Sequence, residues 1–429
     1  MSGGTIFMLV LLVFVAAGSA LVLARLSSGA SVDLNKLKVN ALNLQPGSSG
    51  NDTEKEDLPA REKEPQHAAA DAVRTTKEEA PVSREDGNSF TLTVAGSFSL
   101  SGEVRKNSWN TDSKVVDYAD MMMLLKPYVC SDVNCVFAEQ IISERNKASD
   151  TVAPESAAAL LKDAGFGIAA CGFAQAYSIG KDGVEDTLSA LSRQGISAIG
   201  IRSENDPGRP EVKEVKGVKV AFVQYTATIA SKTRKSMEKD GTSGMVPEAE
   251  PTLVSEEIDA ARAQGAEAVI VLVNWGKTGK EPDKTLRQLA EDIALAGADL
   301  IIGNGSHVPQ NAEYLSGQDG KSVLCVWSLG TLLSGDRSNT KRTSGYLFHV
   351  TVKANGRGGA DILNPEYTPV YTWKYKQDGR YYYRCIASDG EAPDGMDSEQ
   401  RKAMAKSAET VQNILNDSPL TGRSSYDEN

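Results

Sequence analysis

The chain has 429 residues, of which 40% are hydrophobic and 24% are charged, with 38 Gly and 16 Pro. This composition excludes a collagen, a small disulfide-framed protein and a wholly disordered chain, and the length suits one large or two ordinary globular domains. The formal net charge of -11 is concentrated in residues 51–88 and 388–429, which carry -5 each. Because neither these segments nor the rest of the chain has a strong basic excess, we expect no nucleic-acid partner.

The N-terminal region contains an uncharged segment, residues 5–24, that is rich in Leu, Val, Phe and Ala. As a helix it would extend about 30 Å, the thickness of a bilayer core. We therefore predict a transmembrane anchor in residues 1–26. A cleaved secretion signal is an alternative, with Gly18-Ser19-Ala20 as a cleavage site, although no basic residue precedes the segment. A buried core helix is the other alternative.

Residues 27–88 are predicted to form a disordered, acidic, low-complexity linker or stalk. No aromatic residue occurs between Val15 and Ser89, so this stretch cannot bury enough apolar surface to offset the entropy lost on ordering. The composition also allows a low-complexity linker in the cytosol.

Five cysteines are present, and no Cys-x-x-Cys pair occurs among them. Cys130 and Cys135 are near enough in sequence to form a disulfide, and the sequence leaves open whether they do. Cys171, Cys325 and Cys385 lie in or beside apolar runs, where buried free thiols are expected.

Residues 89–387 alternate short apolar runs with segments of helical periodicity, a pattern typical of a layered α/β domain. Glycines at 165, 195, 265 and 297 occupy positions where helices end before a strand. Late segments around 346–352, 367–375 and 381–385 are predicted to be antiparallel strands of the same domain. Strands are predicted at 90–95, 133–137, 167–171, 198–201, 218–225, 268–273, 300–302 and 323–327, and helices at 153–164, 183–193, 251–264 and 284–296.

The acidic C-terminal segment, residues 388–429, contains one further predicted helix at about 398–415. Met404, Ala408, Val411 and Leu415 follow a spacing of four, three and four residues. Such a stripe favours docking of the helix on the domain rather than a chemical role.

Small polar residues follow several predicted strands, among them Ser97, Glu139, Asn274 and the Asn304–His307 segment. Ligands of α/β sheets bind beyond the carboxyl ends of the strands, so these residues are candidates for a site. Tyr381-Tyr382-Tyr383 could stack on a glycan, although alternation on a packed strand accounts for them more simply.

In order and spacing, these motifs resemble the bacterial capsule-synthesis CapA family of poly-γ-glutamate capsule proteins. The resemblance runs from about residue 90 to 352 and implies a calcineurin-like metallophosphoesterase fold, a layered α/β sandwich. Trp275-Gly276 resembles the family's His-Trp-Gly, the segment ending at His307 resembles its Gly-His-x-x-His, and Ser328-Leu329-Gly330 resembles its Ser-Leu-Gly-Asn.

The metal-binding positions of the family are mostly substituted here. Ser97 stands for the aspartate of its Gly-Asp, Gln175 falls in its Asn-Asn-His, Asn274 stands for the histidine of His-Trp-Gly and Asn304 for the first histidine of Gly-His-x-x-His. Glu139 and His307 keep the family's residue types. The candidate remnant pocket consists of Ser97, Glu139, Gln175, Asn274, Asn304 and His307.

A two-metal centre needs bridging anionic oxygen and several imidazoles or carboxylates, which this set does not supply. We therefore expect no metal or other cofactor, no confident catalytic residue and a degenerate, non-catalytic domain. The resemblance implies a role in synthesis or export of a capsule or cell-envelope polymer, by binding the polymer or capsule-assembly proteins. The alternative is a divergent metal-dependent hydrolase or transferase that uses Glu139 and His307.

The resemblance also implies a single-pass protein of the cell membrane, with its globular domain outside the cytoplasm. The basic residues Arg25, Lys36 and Lys38 follow the apolar segment and favour the opposite orientation by the positive-inside rule. Long domains are translocated with little regard to flanking charge, and we follow the resemblance.

Overall fold

A computed structural model describes residues 8–15, 18–25, 88–107, 109–110, 115–116, 118–206, 208, 210–377 and 379–423. The chain divides into two compact units, residues 1–80 and 81–429.

In the first unit, β1 (Met8–Val15) and β2 (Gly18–Arg25) pair as antiparallel strands. The structure thus has two strands where the sequence predicted a helix. A continuous apolar run without periodicity is compatible with either a strand or a helix. Within the described ranges, no helix combines the length and hydropathy required to cross a membrane. The predicted stalk lies outside the described residues, apart from its last residue.

The second unit contains the remaining strands and seven helices among its described residues. The strands are β3 (Ser89–Phe98), β4 (Trp109–Asn110), β5 (Val115–Val116), β6 (Val133–Ala138), β7 (Ile141–Ile142), β8 (Val152–Ala153), β9 (Ile168–Ala170), β10 (Ser197–Ile199), β11 (Val212–Val215), β12 (Val218–Thr226), β13 (Ala268–Asn274), β14 (Leu300–Asn304), β15 (Ala312–Ser316), β16 (Ser322–Val326), β17 (Thr331–Leu333), β18 (Ser344–Ala354), β19 (Ala360–Gln377), β20 (Arg380–Ala387) and β21 (Thr421–Gly422). The helices are α1 (Gly102–Asn107), α2 (Ser156–Asp163), α3 (Lys181–Arg193), α4 (Ser231–Asp240), α5 (Pro251–Ala263), α6 (Lys284–Leu295) and α7 (Ser398–Leu415).

Two large sheets form the centre of this unit. The first has the order β10-β9-β6-β3-β18-β19-β20, with β17 paired to β3 and β21 to β19. Its first four strands are parallel, and β18, β19 and β20 add antiparallel strands. The second sheet has the order β11-β12-β13-β14-β16-β15, parallel in its middle and antiparallel at both edges. The late segments thus complete the same domain, as the sequence predicts.

The two sheets pack face to face. Alternate residues of β3 and β13, such as Leu92 and Ile270, share one buried core between the sheets. The opposite face of the first sheet packs on α2 and α3, and Val271 of the second sheet lies in a core with α5 and α6. Strand residues alternate between faces, so each buried strand supplies both cores. The result confirms the layered α/β sandwich expected from the sequence.

Local sequence signals fix where the helices begin and end. Asp283 caps α6 by accepting hydrogen bonds from the backbone N–H of Thr285 and Leu286. Asp397 and Gln400 form a capping box at the start of α7. Gly165 and Gly297, which follow α2 and α6, have positive φ angles of 98° and 102°. Glycine adopts this conformation at little cost, so the chain can leave the helix and enter the next strand.

The last helix, α7, packs its apolar stripe on the first sheet. Met404 joins a cluster with Tyr371 and Trp373 of β19, while Val411 and Leu415 contact the core between the sheets. Cys135, Cys171, Cys325 and Cys385 are buried free thiols, and Cys130 is exposed.

Candidate functional site

The candidate site lies where the two sheets end together. Ser97 is the next-to-last residue of β3, Glu139 follows β6, and Asn274 and Asn304 are the last residues of β13 and β14. Asn274 and Asn304 are paired neighbours in the parallel register. Because the carboxyl ends of parallel strands meet at one edge, residues more than 200 positions apart in sequence become neighbours here.

Glu139 is the centre of a buried hydrogen-bond cluster. Its Oε1 atom accepts hydrogen bonds from Nδ2 of Asn274 at 3.0 Å and Nδ2 of Asn304 at 3.2 Å. Its other oxygen, Oε2, lies 3.3 Å from Nδ1 of His307. The Glu139 side chain is 7% exposed, so these contacts replace the water that a carboxylate requires.

Ser97 joins the same cluster from β3. Its Oγ atom accepts a hydrogen bond from Nδ2 of Asn304 at 2.7 Å and lies 3.1 Å from Nδ1 of His307. Ser97 and Asn304 are buried, whereas the His307 side chain is 35% exposed. The imidazole is therefore the part of the cluster that an incoming molecule reaches first.

The loop that carries His307 is held in an unusual backbone conformation. His307 has a φ of 54°, in the left-handed region that non-glycine residues rarely adopt. The Oγ atoms of Ser306 and Ser328 each donate a hydrogen bond to the carbonyl of Val308, and the carbonyl of His307 accepts one from Thr331 Oγ1 at 3.1 Å. These contacts over-determine the loop and hold the imidazole towards Ser97 and Glu139.

Two motif glycines are required by close backbone approach. A side chain at Gly303 would collide with the indole of Trp275, whose Nε1 donates to the carbonyl of Trp327 at 2.8 Å. Gly330, with a φ of 74°, leaves no room for a Cβ beside Pro309, and its carbonyl accepts a hydrogen bond from the backbone N–H of Ser97 at 2.9 Å. These motifs thus shape the scaffold around the cluster.

Gln175 is the one predicted pocket residue that the cluster does not include. It is exposed in the segment after β9, and no hydrogen bond among the described residues joins its side chain to the other five. The buried ring of Tyr177 anchors this segment, because its hydroxyl bonds Asp240 and Thr242 of the α4 region.

Three further residues at or beside the cluster were not among the six predicted for the pocket. Ser328 Oγ, which donates its proton to the carbonyl of Val308, lies 3.1 Å from Oδ1 of Asn304, and Thr331 binds the His307 loop. Thr226, at the end of β12 beside Asn274, is fully buried and its Oγ1 has no hydrogen-bond partner within the described part of the chain. The Ser-Leu-Gly-Asn resemblance covers Ser328 and Thr331, whereas nothing in the sequence distinguishes Thr226 from other strand threonines.

Comparison with known proteins identifies the family. Residues 91–336, more than half of the chain, match the family model described as bacterial capsule synthesis protein PGA_cap. The chain belongs to this family. The resemblance to capsule-synthesis CapA proteins drawn from the motifs is confirmed.

Two relatives are curated CapA proteins. The "Capsule biosynthesis protein CapA" of Bacillus anthracis is 24% identical over 303 residues, covering 69% of this chain and 72% of the relative. The "PGA biosynthesis protein CapA" of Bacillus subtilis (strain 168) is 25% identical over 252 residues, covering 58% and 63% respectively. Among solved structures, the calcineurin-like phosphoesterase YfkN from Bacillus subtilis aligns with 10% identity and a TM-score of 0.39, covering 77% of this chain and 99% of that one.

In this PGA_cap domain, Ser97, His307 and Glu139 are not arranged as a serine-based catalytic triad. In such a triad the serine and the carboxylate contact different nitrogens of the histidine, so that the ring can relay a proton. Here Ser97 Oγ and Glu139 Oε2 both lie at Nδ1 of His307. Ser97 is also only 2% exposed, which removes it from the reach of a substrate carbonyl.

The side chains of the cluster do not fit a dinuclear metal centre. It offers one carboxylate, one imidazole and one hydroxyl, and its two carboxamides direct N–H donors at the carboxylate oxygen. An amide N–H₂ group has no lone pair for a metal ion. In the described ranges, no three His, Cys, Asp or Glu side chains come together in a metal-binding group. A two-metal mechanism requires more anionic and imidazole ligands than this.

Proposed function

We propose that this chain is a non-catalytic member of the PGA_cap family that acts in the synthesis or export of a capsule polymer of the poly-γ-glutamate type. One observation carries the non-catalytic part. Both carboxamides donate to Glu139 Oε1, at 3.0 and 3.2 Å. At the two positions where the resemblance expects imidazole ligands, this chain thus has carboxamides that donate hydrogen bonds to the carboxylate.

The same cluster supports a binding role. It combines a partly exposed imidazole with a buried carboxylate, both fixed by neighbouring side chains. Such a preorganised polar group binds hydroxyl, amide or amine groups of a ligand without having to reorder. We infer that polymer ends or assembly partners contact the chain through His307.

We further propose that the uncharged N-terminal segment attaches the chain to the cell membrane and that the globular unit lies outside the cytoplasm. Residues 5–24 contain no charge, and transfer of so long an apolar run into lipid is favourable. A linker of some 60 residues after it suits display of the domain at a distance from the bilayer.

Metal content tests the non-catalytic assignment. The purified full chain is incubated with Mn²⁺, Zn²⁺ and Fe²⁺, desalted and analysed by elemental mass spectrometry. We expect no stoichiometric metal and no metal-dependent hydrolysis of phosphoesters or polyglutamate. One or two equivalents of metal, lost in Glu139→Ala and His307→Ala, would replace this proposal with the divergent hydrolase or transferase.

The cellular role is tested in the producing bacterium. Deleting the gene should lower surface polymer, and the full chain should restore it. Unchanged polymer in the deletion strain contradicts the capsule role. Protease treatment of intact cells should digest the globular unit, and its protection would place that unit in the cytoplasm.

A further inference from the structure

The end of the β19–β20 hairpin extends past the rest of its sheet. β18 begins at Ser344, which pairs with Tyr371, so residues 372–377 of β19 pair with β20 alone among the described strands. We term residues 372–385 the hairpin arm. Residues 374–384 contain four basic residues, one acidic residue and four tyrosines, in a chain whose net charge is -11. The arm is thus locally basic within an acidic protein.

One face of the arm holds two lysines against two tyrosine rings. Lys374 Nζ lies 4.4 Å from the ring centroid of Tyr381 and 5.4 Å from that of Tyr383. Lys376 Nζ lies 5.8 Å from the Tyr381 centroid. Cation–π contacts of this kind restrain long side chains, so less rotamer entropy is lost when the ammonium groups bind an anion.

A third cation, in the loop after β17, approaches one of these rings, that of Tyr383. The guanidinium of Arg337 lies 5.6 Å from the Tyr383 centroid and 5.7 Å from that of Tyr371. Its Nη2 atom is buried without a hydrogen-bond partner, and no described carboxylate forms an ion pair with it. Arg337 is half-buried, so its guanidinium adds to the arm a positive charge that no carboxylate of the described residues offsets.

A carboxylate from outside the arm, that of Glu103, already contacts it. Glu103 pairs with Lys374 at 3.1 Å and accepts a hydrogen bond from the hydroxyl of Tyr383 at 2.8 Å, and its side chain is 61% exposed. Exposed pairs of this kind contribute about 0–1 kcal/mol, so another carboxylate can take the place of Glu103. Lys376 is exposed and has no ion-pair partner among the described residues.

We propose that the hairpin arm binds a linear polycarboxylate chain through Lys374, Lys376 and Arg337. Side chains two residues apart on a strand are about 6.5 Å apart, so the lysines present a row of charges rather than a single anion pocket. Repeated carboxylates along a polymer match such a row. The inference deepens the proposed function, on which it rests, by giving the polymer a contact surface away from the Glu139 cluster.

Two other occupants suit the arm less well. Membrane binding requires apolar side chains that enter the bilayer, and Tyr381 is the one large apolar side chain of the arm that is substantially exposed in the described structure. A neutral glycan would stack on a tyrosine ring, but the ammonium group of Lys374 already lies against the ring of Tyr381.

Binding of fluorescently end-labelled sodium poly-γ-glutamate to the purified full chain tests the proposal. We expect binding at 50 mM salt that weakens at least tenfold at 300 mM, because screening acts on exposed charges. Lys374→Gln combined with Lys376→Gln should weaken binding at least tenfold. The matched control, Lys232→Gln with Lys235→Gln on α4, removes the same charge from exposed positions and should change the affinity less than twofold.

Further measurements distinguish polymer binding from binding of glycans or lipid. Lys376→Glu alone, an exposed change that should leave the fold intact, should also weaken binding. Unlabelled dextran should not compete. Equal loss in the control variant, or no binding by the natural chain, overturns the proposal. The proposal is also overturned if the chain binds anionic lipid vesicles but not the polymer, and if the Lys374→Gln, Lys376→Gln variant loses that vesicle binding. A metal-dependent activity at Glu139 would refute the non-catalytic assignment and leave polymer binding by the arm standing.

Discussion

Substituting Glu139 by alanine distinguishes a hydrogen-bond cluster from a metal centre. The change removes the acceptor of Asn274 Nδ2 and of Asn304 Nδ2, whose residues are 8% and 0% exposed. A buried donor left without an acceptor costs about 1–3 kcal/mol. Asn304 Nδ2 keeps its hydrogen bond to Ser97 Oγ at 2.7 Å, so its contribution to the cost is at the low end of this range. We expect Glu139→Ala to lower the free energy of unfolding by about 2–4 kcal/mol.

Equilibrium unfolding of the full chain in urea, with EDTA and separately with 1 mM Mn²⁺, measures this effect. Glu139→Gln retains an acceptor oxygen and should cost about 1 kcal/mol or less. Glu211→Ala is the matched control, since its side chain is 74% exposed and surface changes usually stay within about 0.5 kcal/mol. Mn²⁺ should stabilise none of these proteins.

Two results would refute the reasoning. A loss below about 0.5 kcal/mol in Glu139→Ala would mean that the two carboxamides do not depend on the carboxylate. Stabilisation of the natural chain by Mn²⁺ that disappears in Glu139→Ala would mean that a metal binds the native state there, since a ligand specific for the folded chain stabilises it by RT ln(1 + [L]/Kd).

Two further predictions concern the scaffold. Burial lowers the pKa of His349 to about 3, and its two ring nitrogens lie 3.0 Å from the hydroxyls of Thr93 and Thr368. As the pH falls, His349 is therefore protonated in the unfolded chain before it is protonated in the folded chain. The free energy of unfolding that is present above about pH 6.5 is lost between about pH 6.5 and about pH 3, and the loss is about 2 kcal/mol at pH 5. The free energy of unfolding should therefore fall between pH 7.5 and pH 5 by about 2 kcal/mol less in His349→Gln than in the natural chain. An equal fall in the two proteins would contradict the prediction. Gly330→Ala forces a Cβ to 2.7 Å from the backbone of Pro309 at a φ of 74° and should cost at least about 2 kcal/mol. Thermal unfolding within 2 °C of the natural chain would show that the backbone there can move.

Most of the sandwich could be predicted from local patterns. Apolar runs bounded by glycines located the central strands to within a few residues, because buried strands and C-capping glycines leave signals in short windows. Membership of the PGA_cap family follows from motif order in the same way. The domain boundaries at 26, 88 and 387 stay predictions.

Other elements depend on the tertiary structure. The segment predicted as an N-terminal helix forms β1 and β2, since an apolar run without periodicity does not choose between helix and strand. α4 was missed, because its polar composition gives little helical periodicity and its fit depends on the buried Thr233 and Met237.

The sequence by itself determined which polar residues lie at the ends of the strands, and it predicts that they carry too few charges to hold two metal ions. Only the tertiary structure decided what those residues do. It brings Asn274 and Asn304 onto one oxygen of Glu139, places Ser97 and Glu139 at the same nitrogen of His307, and leaves Gln175 exposed. The direction of these hydrogen bonds and the burial of these side chains depend on how the two sheets pack against each other. That packing involves residues far apart in the sequence, so no short segment predicts it.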